Sequence, residues 1–325
     1  MNTEGVYCGI CGGARECMFK LYDDRYGYPG TFSLFRCQSC GHKNIHSSVS
    51  PEKIKEMYSK YYPRATFHVD DHKPYREIEG FTSWFDGMKS GPFRWVPDNV
   101  RVLDIGCGFG ESLGYYASRG CEAYGVEVDA NIKRVADAFG YNVKVGLFSS
   151  DAYQEDFFDY VTMAQVIEHV TDPIATLKGI ARILKPGGAV VLSMPNSNGW
   201  GAKIFRRMWI NWHIPYHIQH FSFKSIRIAA ERSSLILDKA QTITSSHWLY
   251  YQWLHIVNYP SESQPSAFWS PKIAPTFWQK IVMKFLSYVH MTKINHTITR
   301  VFDFFGMGDN LLVVLKKPQV SEKVC

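Results

Sequence analysis

Residues 100–113, VRVLDIGCGFGESL, limit what this chain can fold into more than any other stretch. The run from Val100 to Ile105 is dominated by β-branched residues and leucine with little polar alternation, the pattern of a strand buried on both faces of a parallel sheet. It ends in glycines at alternate positions, Gly106, Gly108 and Gly110. Glycine takes positive φ without steric penalty and lets a ligand lie directly on the backbone. A helix starting there adds its unpaired N–H groups. The stretch therefore reads as a nucleotide-type binding turn between a strand and a helix.

Two further features narrow it. Asp104 precedes the first glycine by two, giving D-x-G-x-G-x-G, and a second strand over 122–128 ends near Glu127, placed where a ribose would be held. With this glycine spacing the stretch resembles motif I of the class I S-adenosylmethionine-dependent methyltransferases, whose cofactor has a ribose and adenine but no pyrophosphate. The segments FDYVTMAQVIEHVTDP, LKPGG and VVLSMPN extend the resemblance over 100–196. Helices over 111–119, 131–139 and 172–184 alternate with strands over 141–145, 158–163 and 189–194, as an open parallel sheet requires. Strands over 235–243 and 310–315 supply an antiparallel edge. The fold expected is α/β, a Rossmann-like, seven-stranded, doubly wound sheet with a small N-terminal zinc ribbon. The resemblance implies S-adenosyl-L-methionine as cofactor. The three glycines admit its methionine portion, Glu127 accepts from the ribose hydroxyls, and Leu147 and Phe148 sandwich adenine. Asp104 holds the ammonium directly or through water, and Gln165 lies on the same rim.

The zinc ribbon rests on spacing. Cys8-x-x-Cys11 and Cys37-x-x-Cys40 can set four thiolates around one Zn²⁺. Four protein ligands leave no open position, so the metal would be structural, and the doubling of the motif disfavours a thiol–disulfide pair. Residues 1–10 lack the basic start and apolar core of a signal peptide, and no apolar run has membrane-spanning length, so the expected compartment is the cytoplasm. The net charge of +6 is compatible with an anionic cofactor, nucleotide sugar, nucleic acid or lipid headgroup and does not choose among them. The expected domains are a zinc module (1–48), a helical linker or cap (49–98) and a methyltransferase domain (99–318) with an insertion at about 247–303. In the cap, one helix begins at Pro51 with Ile54, Met57, Tyr58 and Tyr61 on one face; a second spans 75–88 with Ile78, Phe81, Trp84 and Phe85 in register. Tyr58, Tyr61 and Tyr62 could reach the cofactor or simply pack.

The acceptor side is sought in WINWHIPYHIQHFSFKSI, residues 209–226. Related methyltransferases carry a P-x-H-x-x-x-F/Y-S pattern here, matched from Pro215 to Ser222. His217 is the first candidate general base for a hydroxyl acceptor, His220 the second, with His213 beside them. In ubiquinone-pathway O-methyltransferases and small-RNA 2′-O-methyltransferases E-x-x-E-H supplies Mg²⁺ ligands. Here Gln165 stands at the first position, a poor ligand for a hard cation, and the reading favoured for Glu168 and His169 is a structural role at a helix start. The chain has MAQV where base-amino methyltransferases carry N/D-P-P-Y/F. The expected activity is O-methylation of a small molecule, sugar or lipid-linked glycan intermediate. The alternatives are an RNA methyltransferase gripping nucleic acid through the zinc module, a C-methyltransferase acting on a nucleotide sugar, and a non-catalytic scaffold. Residues 1–50 hold nearly as many acids as bases, which disfavours the nucleic-acid reading. In the insertion Phe277, Trp278, Ile281, Val282, Phe285, Leu286 and Val289 recur at helical spacing beside Lys280, Lys284 and Lys293, the pattern of a helix that packs on its own domain or lies on a membrane surface.

Overall fold

In the computed structural model, residues 7–45, 56–62, 69–77 and 80–319 are described. The N-terminal strands β1 (Arg15–Tyr22), β2 (Thr31–Cys37) and β3 (Lys43–Ile45) form an antiparallel sheet. Next come β4 (Arg101–Ile105), β5 (Glu122–Glu127), β6 (Asn142–Val145), β7 (Phe158–Ala164) and β8 (Leu184–Pro195). The short β9 (Gln219–His220) precedes β10 (Ile236–Thr242) and β11 (Asn310–Lys316). The larger sheet has the order β6-β5-β4-β7-β8-β11-β10. Strands β4 to β8 pair in parallel, and β11 runs antiparallel between β8 and β10. Strand order reverses between β4 and β7, so a crevice opens beyond their carboxyl ends, where open α/β sheets bind ligands. This is the seven-stranded sheet expected from the sequence.

Local signals explain the crossovers. Gly110, at φ 83°, starts α2 (Glu111–Ser118), and Gly140, at φ 71°, ends α3 (Ile132–Phe139). Asp172 caps α4 (Pro173–Ile183) by accepting from Ala175 N, with Pro173 at the first helical position. Earlier in the chain, the helix expected over 75–88 is cut to α1 (Phe81–Asp86) because Gly80 and Gly87 bound it at φ 95° and 71°. A Cβ on Gly87 would stand 2.1 Å from the Thr244 carbonyl oxygen, so the break is also a close approach of two segments. Ile78 and Ile54 lie outside the described residues. Of the helix expected after Pro51 the described part is one turn, Met57–Tyr61.

The N-terminal sheet is not a separate bead. β9, which follows the larger sheet's β8 in the chain, adds to its edge by pairing with β3, Lys43 opposite His220 and Asn44 opposite Gln219. Cys8, Ile10, Cys37 and Cys40 belong to the same buried cluster as Leu103, Phe158, Leu192, Phe221 and Ala230. After α5 (Trp200–Phe205) and α6 (Phe223–Glu231), the insertion folds as α7 (Ser246–Val257), α8 (Phe277–Met291) and α9 (Ile294–Phe304). Trp200 stacks on Phe302 at 4.4 Å and ties the insertion to the segment after β8.

Candidate active site

The donor side is built by the glycine turn. Gly106, Gly108 and Gly110 all have positive φ, at 75°, 57° and 83°. A Cβ on Gly106 would lie 2.4 Å from Val166 Cγ2, so glycine there lets the end of β7 close onto the turn, whereas Gly108 faces open space with its nearest neighbour, Glu111 Oε2, 3.9 Å away. Glu127 at the end of β5 accepts from Gly108 N and from Asp129 N, both at 2.9 Å, and so fixes the turn while staying half-exposed at the rim. Leu147 is 83% exposed beside it. Gln165, at φ 56°, donates to Ser193 Oγ (3.3 Å) and Asn310 Oδ1 (2.9 Å), tying the ends of β7, β8 and β11.

Two of the expected cofactor residues lie deeper than Leu147. Asp104 sits beneath the turn: Ser112 Oγ donates to its Oδ2 and Thr162 Oγ1 to its Oδ1 at 2.7 Å. Burial pushes this carboxyl up to about 6, and its oxygens brace β4 against α2 and β7. Phe148 is half-buried and packs against the core beside α4, while Leu147 stands exposed.

On the acceptor side the three histidines occupy different surroundings. His220 sits in β9, 2% exposed, donating from Nε2 to the Trp212 carbonyl at 3.1 Å; burial pushes it down to about 3. It is a strand residue of the N-terminal sheet, which corrects its expected place at the rim. His213 is buried among Tyr26, Tyr62 and Tyr216, with ring centroids 5.8, 6.2 and 4.9 Å away. His217 donates from Nδ1 to the Asn211 carbonyl at 3.0 Å, and its ring lies 4.7 Å from that of His169. Burial holds both His213 and His217 well below the usual range for histidine, hence neutral.

Glu168 and His169, weighed from the sequence as cation ligands, are joined by His217, which the sequence did not link to them. Glu168 is 1% exposed in the one-turn helix Ile167–His169 after β7, so it stands at a helix start as expected, but it makes no capping bond and neither of its carboxylate oxygens has a hydrogen-bond partner. His169 donates from Nδ1 to the Tyr216 carbonyl at 3.0 Å. One ligand atom each from Glu168, His169 and His217 lie within 4.8 Å of one another. In both histidines the Nδ1–H bond to a carbonyl leaves the lone pair on Nε2, the arrangement that orients metal-ligating imidazoles. A buried carboxyl without donors is unfavourable unless protonated or paired with a cation, so the residues present fit a divalent ion.

The four cysteines also converge. Cys8 Sγ stands 3.7 Å from Cys40 Sγ, and Cys11 Sγ 3.4 Å from Cys37 Sγ, all four within 4.8 Å of one another. Four sulfurs about 2.3 Å from one zinc would be ~3.8 Å apart, so the cage has nearly the required size. Gly12 and Gly41, at φ 76° and 73°, turn the chain just after each pair. The cage reaches the acceptor segment directly, since His42 Nε2 bonds Gln219 Oε1 at 2.8 Å and Lys43 Nζ donates to the Ser197 carbonyl at 2.9 Å.

Residues 78–233 match the family described as a methyltransferase domain. The match covers just under half of the chain, and the sheet order and the glycine turn agree with a methyltransferase domain there. The particular likeness is to ubiquinone biosynthesis O-methyltransferases. That of Azoarcus sp. (strain BH72) is 30% identical over 162 residues, covering 47% of this chain and 66% of the relative. That of Pseudomonas fluorescens (strain Pf0-1) is 33% identical over 116 residues, covering 32% and 50%. The chain thus spans about half to two thirds of the length of these curated relatives. Among solved structures, a complex of the Haloferax volcanii Trm112 methyltransferase activator with a methyltransferase aligns at TM-score 0.46 and 20% identity, over 73% of this chain and 91% of that one.

Proposed function

We propose that this chain transfers the methyl group of S-adenosylmethionine to a hydroxyl oxygen of a small molecule, and that Glu168, His169 and His217 hold a divalent cation at the acceptor side. The carrying observation is the unpartnered, fully buried Glu168 carboxyl converging with two imidazoles at the end of β7, next to the turn that Val166 closes. Such an ion would lower the pKa of a bound hydroxyl. The chain's own residues supply position: Gly106 to Gly110 and Glu127 hold the donor, while β9 and the Tyr216 and Asn211 carbonyls fix the imidazoles. The names of the relatives support oxygen as the acceptor atom. Within this reading the acceptor class is a hydroxyl-bearing metabolite, sugar or lipid-linked glycan, and the four cysteines hold a structural zinc.

A second reading keeps His217 as general base: its Nε2 takes the hydroxyl proton as oxygen bonds the methyl carbon and sulfur leaves with the electron pair. Its neutral state favours this reading, while its depressed basicity weighs against it. Transfer of labelled methyl into a hydroxyl-bearing extract fraction tests the activity. Titration of the purified chain with Mg²⁺ or Mn²⁺ then separates the readings. Glu168→Gln should abolish cation binding and turnover while cofactor binding persists. Full turnover by Glu168→Gln in chelator, with zinc retained, would remove the cation from the mechanism and leave His217 as base.

A further inference from the structure

Helix α8 is apolar on the side that faces away from the protein. Its inner side is accounted for: Gln279 Nε2 donates to the Val257 carbonyl, His290 stacks on Tyr250 at 4.8 Å, and Met283 and Leu286 are half-buried. The outer side carries Phe277, Trp278, Phe285, Tyr288 and Met291, each 63–73% exposed, with Ile281 between them; no residue of the helix is buried. At 3.6 residues per turn, positions 277, 281, 285 and 288 form one stripe directly opposite the packed side. A helix apolar on both sides buries its second side against something, and so large an exposed apolar strip marks an interaction surface.

The charges say what covers it. There is no acid between Glu262 and Asp303, while Lys280 and Lys284 stand exposed along one edge of the stripe. We propose that the outer face of α8 docks the protein onto an anionic lipid bilayer surface, with Phe277, Trp278, Phe285 and Tyr288 entering the headgroup–acyl boundary and Lys280 and Lys284 meeting lipid phosphates. Amphipathic tryptophan and tyrosine rings and flanking lysines are what that boundary selects. Pairing with a second copy would bring four lysines to one apolar face with no acid on the helix to offset them. Among the described residues no helix is long and apolar enough to cross a membrane, so the contact is peripheral.

Co-sedimentation of the full-length chain with phosphatidylcholine vesicles, with and without phosphatidylglycerol, tests the proposal. Binding should require the anionic lipid and weaken with salt. Trp278→Ser with Phe285→Ser should reduce it about tenfold or more, because two exposed rings lose their apolar partition. Lys280→Glu with Lys284→Glu should abolish the preference for phosphatidylglycerol. All four positions are exposed, so melting temperature and cofactor affinity should stay at wild-type values. No sedimentation with anionic vesicles, or equal sedimentation of the Trp278→Ser/Phe285→Ser variant, would overturn it. A vesicle-independent dimer in light scattering that Phe285→Ser dissolves would also overturn it, assigning the stripe to a second copy.

Discussion

Gly106 and Gly108 stand two residues apart in one turn, yet substitution should injure different properties. Gly106→Ala must hold an L-residue at φ 75° and set its Cβ 2.4 Å from Val166 Cγ2, a branched side chain with little rotamer freedom. Left-handed backbone costs about 1–2 kcal/mol and overpacking about 1–3 kcal/mol, giving a stability loss of roughly 2–5 kcal/mol. Gly108→Ala carries only the backbone strain, about 1–2 kcal/mol, because nothing approaches its Cβ closer than 3.9 Å. Its methyl group instead enters the open space where the donor is proposed to lie, so affinity for S-adenosylmethionine should fall about tenfold or more, ~1.4 kcal/mol at least. Denaturant unfolding and calorimetric titration of the cofactor separate the two effects. Adding Val166→Ala to Gly106→Ala should recover about 1–3 kcal/mol of coupling, since the double variant removes the overlap but not the strain. A Gly106→Ala variant within about 0.5 kcal/mol of wild type, or a Gly108→Ala variant with unchanged cofactor affinity, would refute this account of the turn.

Two further outcomes follow from buried groups. Burial raises the Asp104 carboxyl from 3.8 to about 6, so its stabilising contribution is complete below about pH 4 and is lost as pH rises through 6; the shift corresponds to ~3 kcal/mol. Asp104→Asn should therefore flatten the stability profile in that window, and urea unfolding at pH 4.5 and pH 7 that shows parallel profiles for variant and wild type would contradict it. Chelating a metal proposed for the four-cysteine cage, or Cys37→Ser, should abolish methyl transfer while leaving cofactor binding within a few fold, because β9 is held by β3 and the glycine turn belongs to the other sheet. Metal analysis with a cofactor titration checks this, and retained turnover in metal-free protein would count against the coupling.

The strand, glycine turn and following strand were legible in the sequence because their information is local. The strand, three glycines and the acid at the next strand's end occupy one contiguous stretch, and each residue type has a single geometric reason to be there. The bounds expected for the edge strands, 235–243 and 310–315, lie within one residue of Ile236–Thr242 and Asn310–Lys316. What pattern could not supply was the direction of a lone side chain. Asp104 closes an apolar strand and could have faced the rim or the helix; Ser112 and Thr162 decide for the interior. Phe148 likewise follows Leu147 on a loop, with no period to say which faces out. Two-residue β9 has no alternation to read, and Glu168 and His217 are 49 positions apart, brought together by the Ile218 N–H bond to the Glu168 carbonyl at 2.9 Å.

That asymmetry also explains why the N-terminal sheet is fused to the acceptor segment. A parallel sheet fixes the ends of its own strands, so the donor turn needs no outside support. The segment from His213 to Ser222 has no such frame, being mostly loop and carrying five buried polar side chains, His213, His217, Gln219, His220 and Ser222. It gains one from three directions. β3 pairs with β9, Arg25 donates to the Ile210 carbonyl while its guanidinium lies 4.1 Å over Trp269, and Asp23 holds the Arg25–Tyr28 turn by accepting three backbone N–H groups. Much of the frame around His217 is thus anchored in the module whose four cysteines converge, and a metal bound there would stiffen the acceptor side without touching substrate. A zinc ion held by the four cysteines would accordingly be a positioning device for the imidazoles, and its removal should be felt first at His217 and last at Gly108.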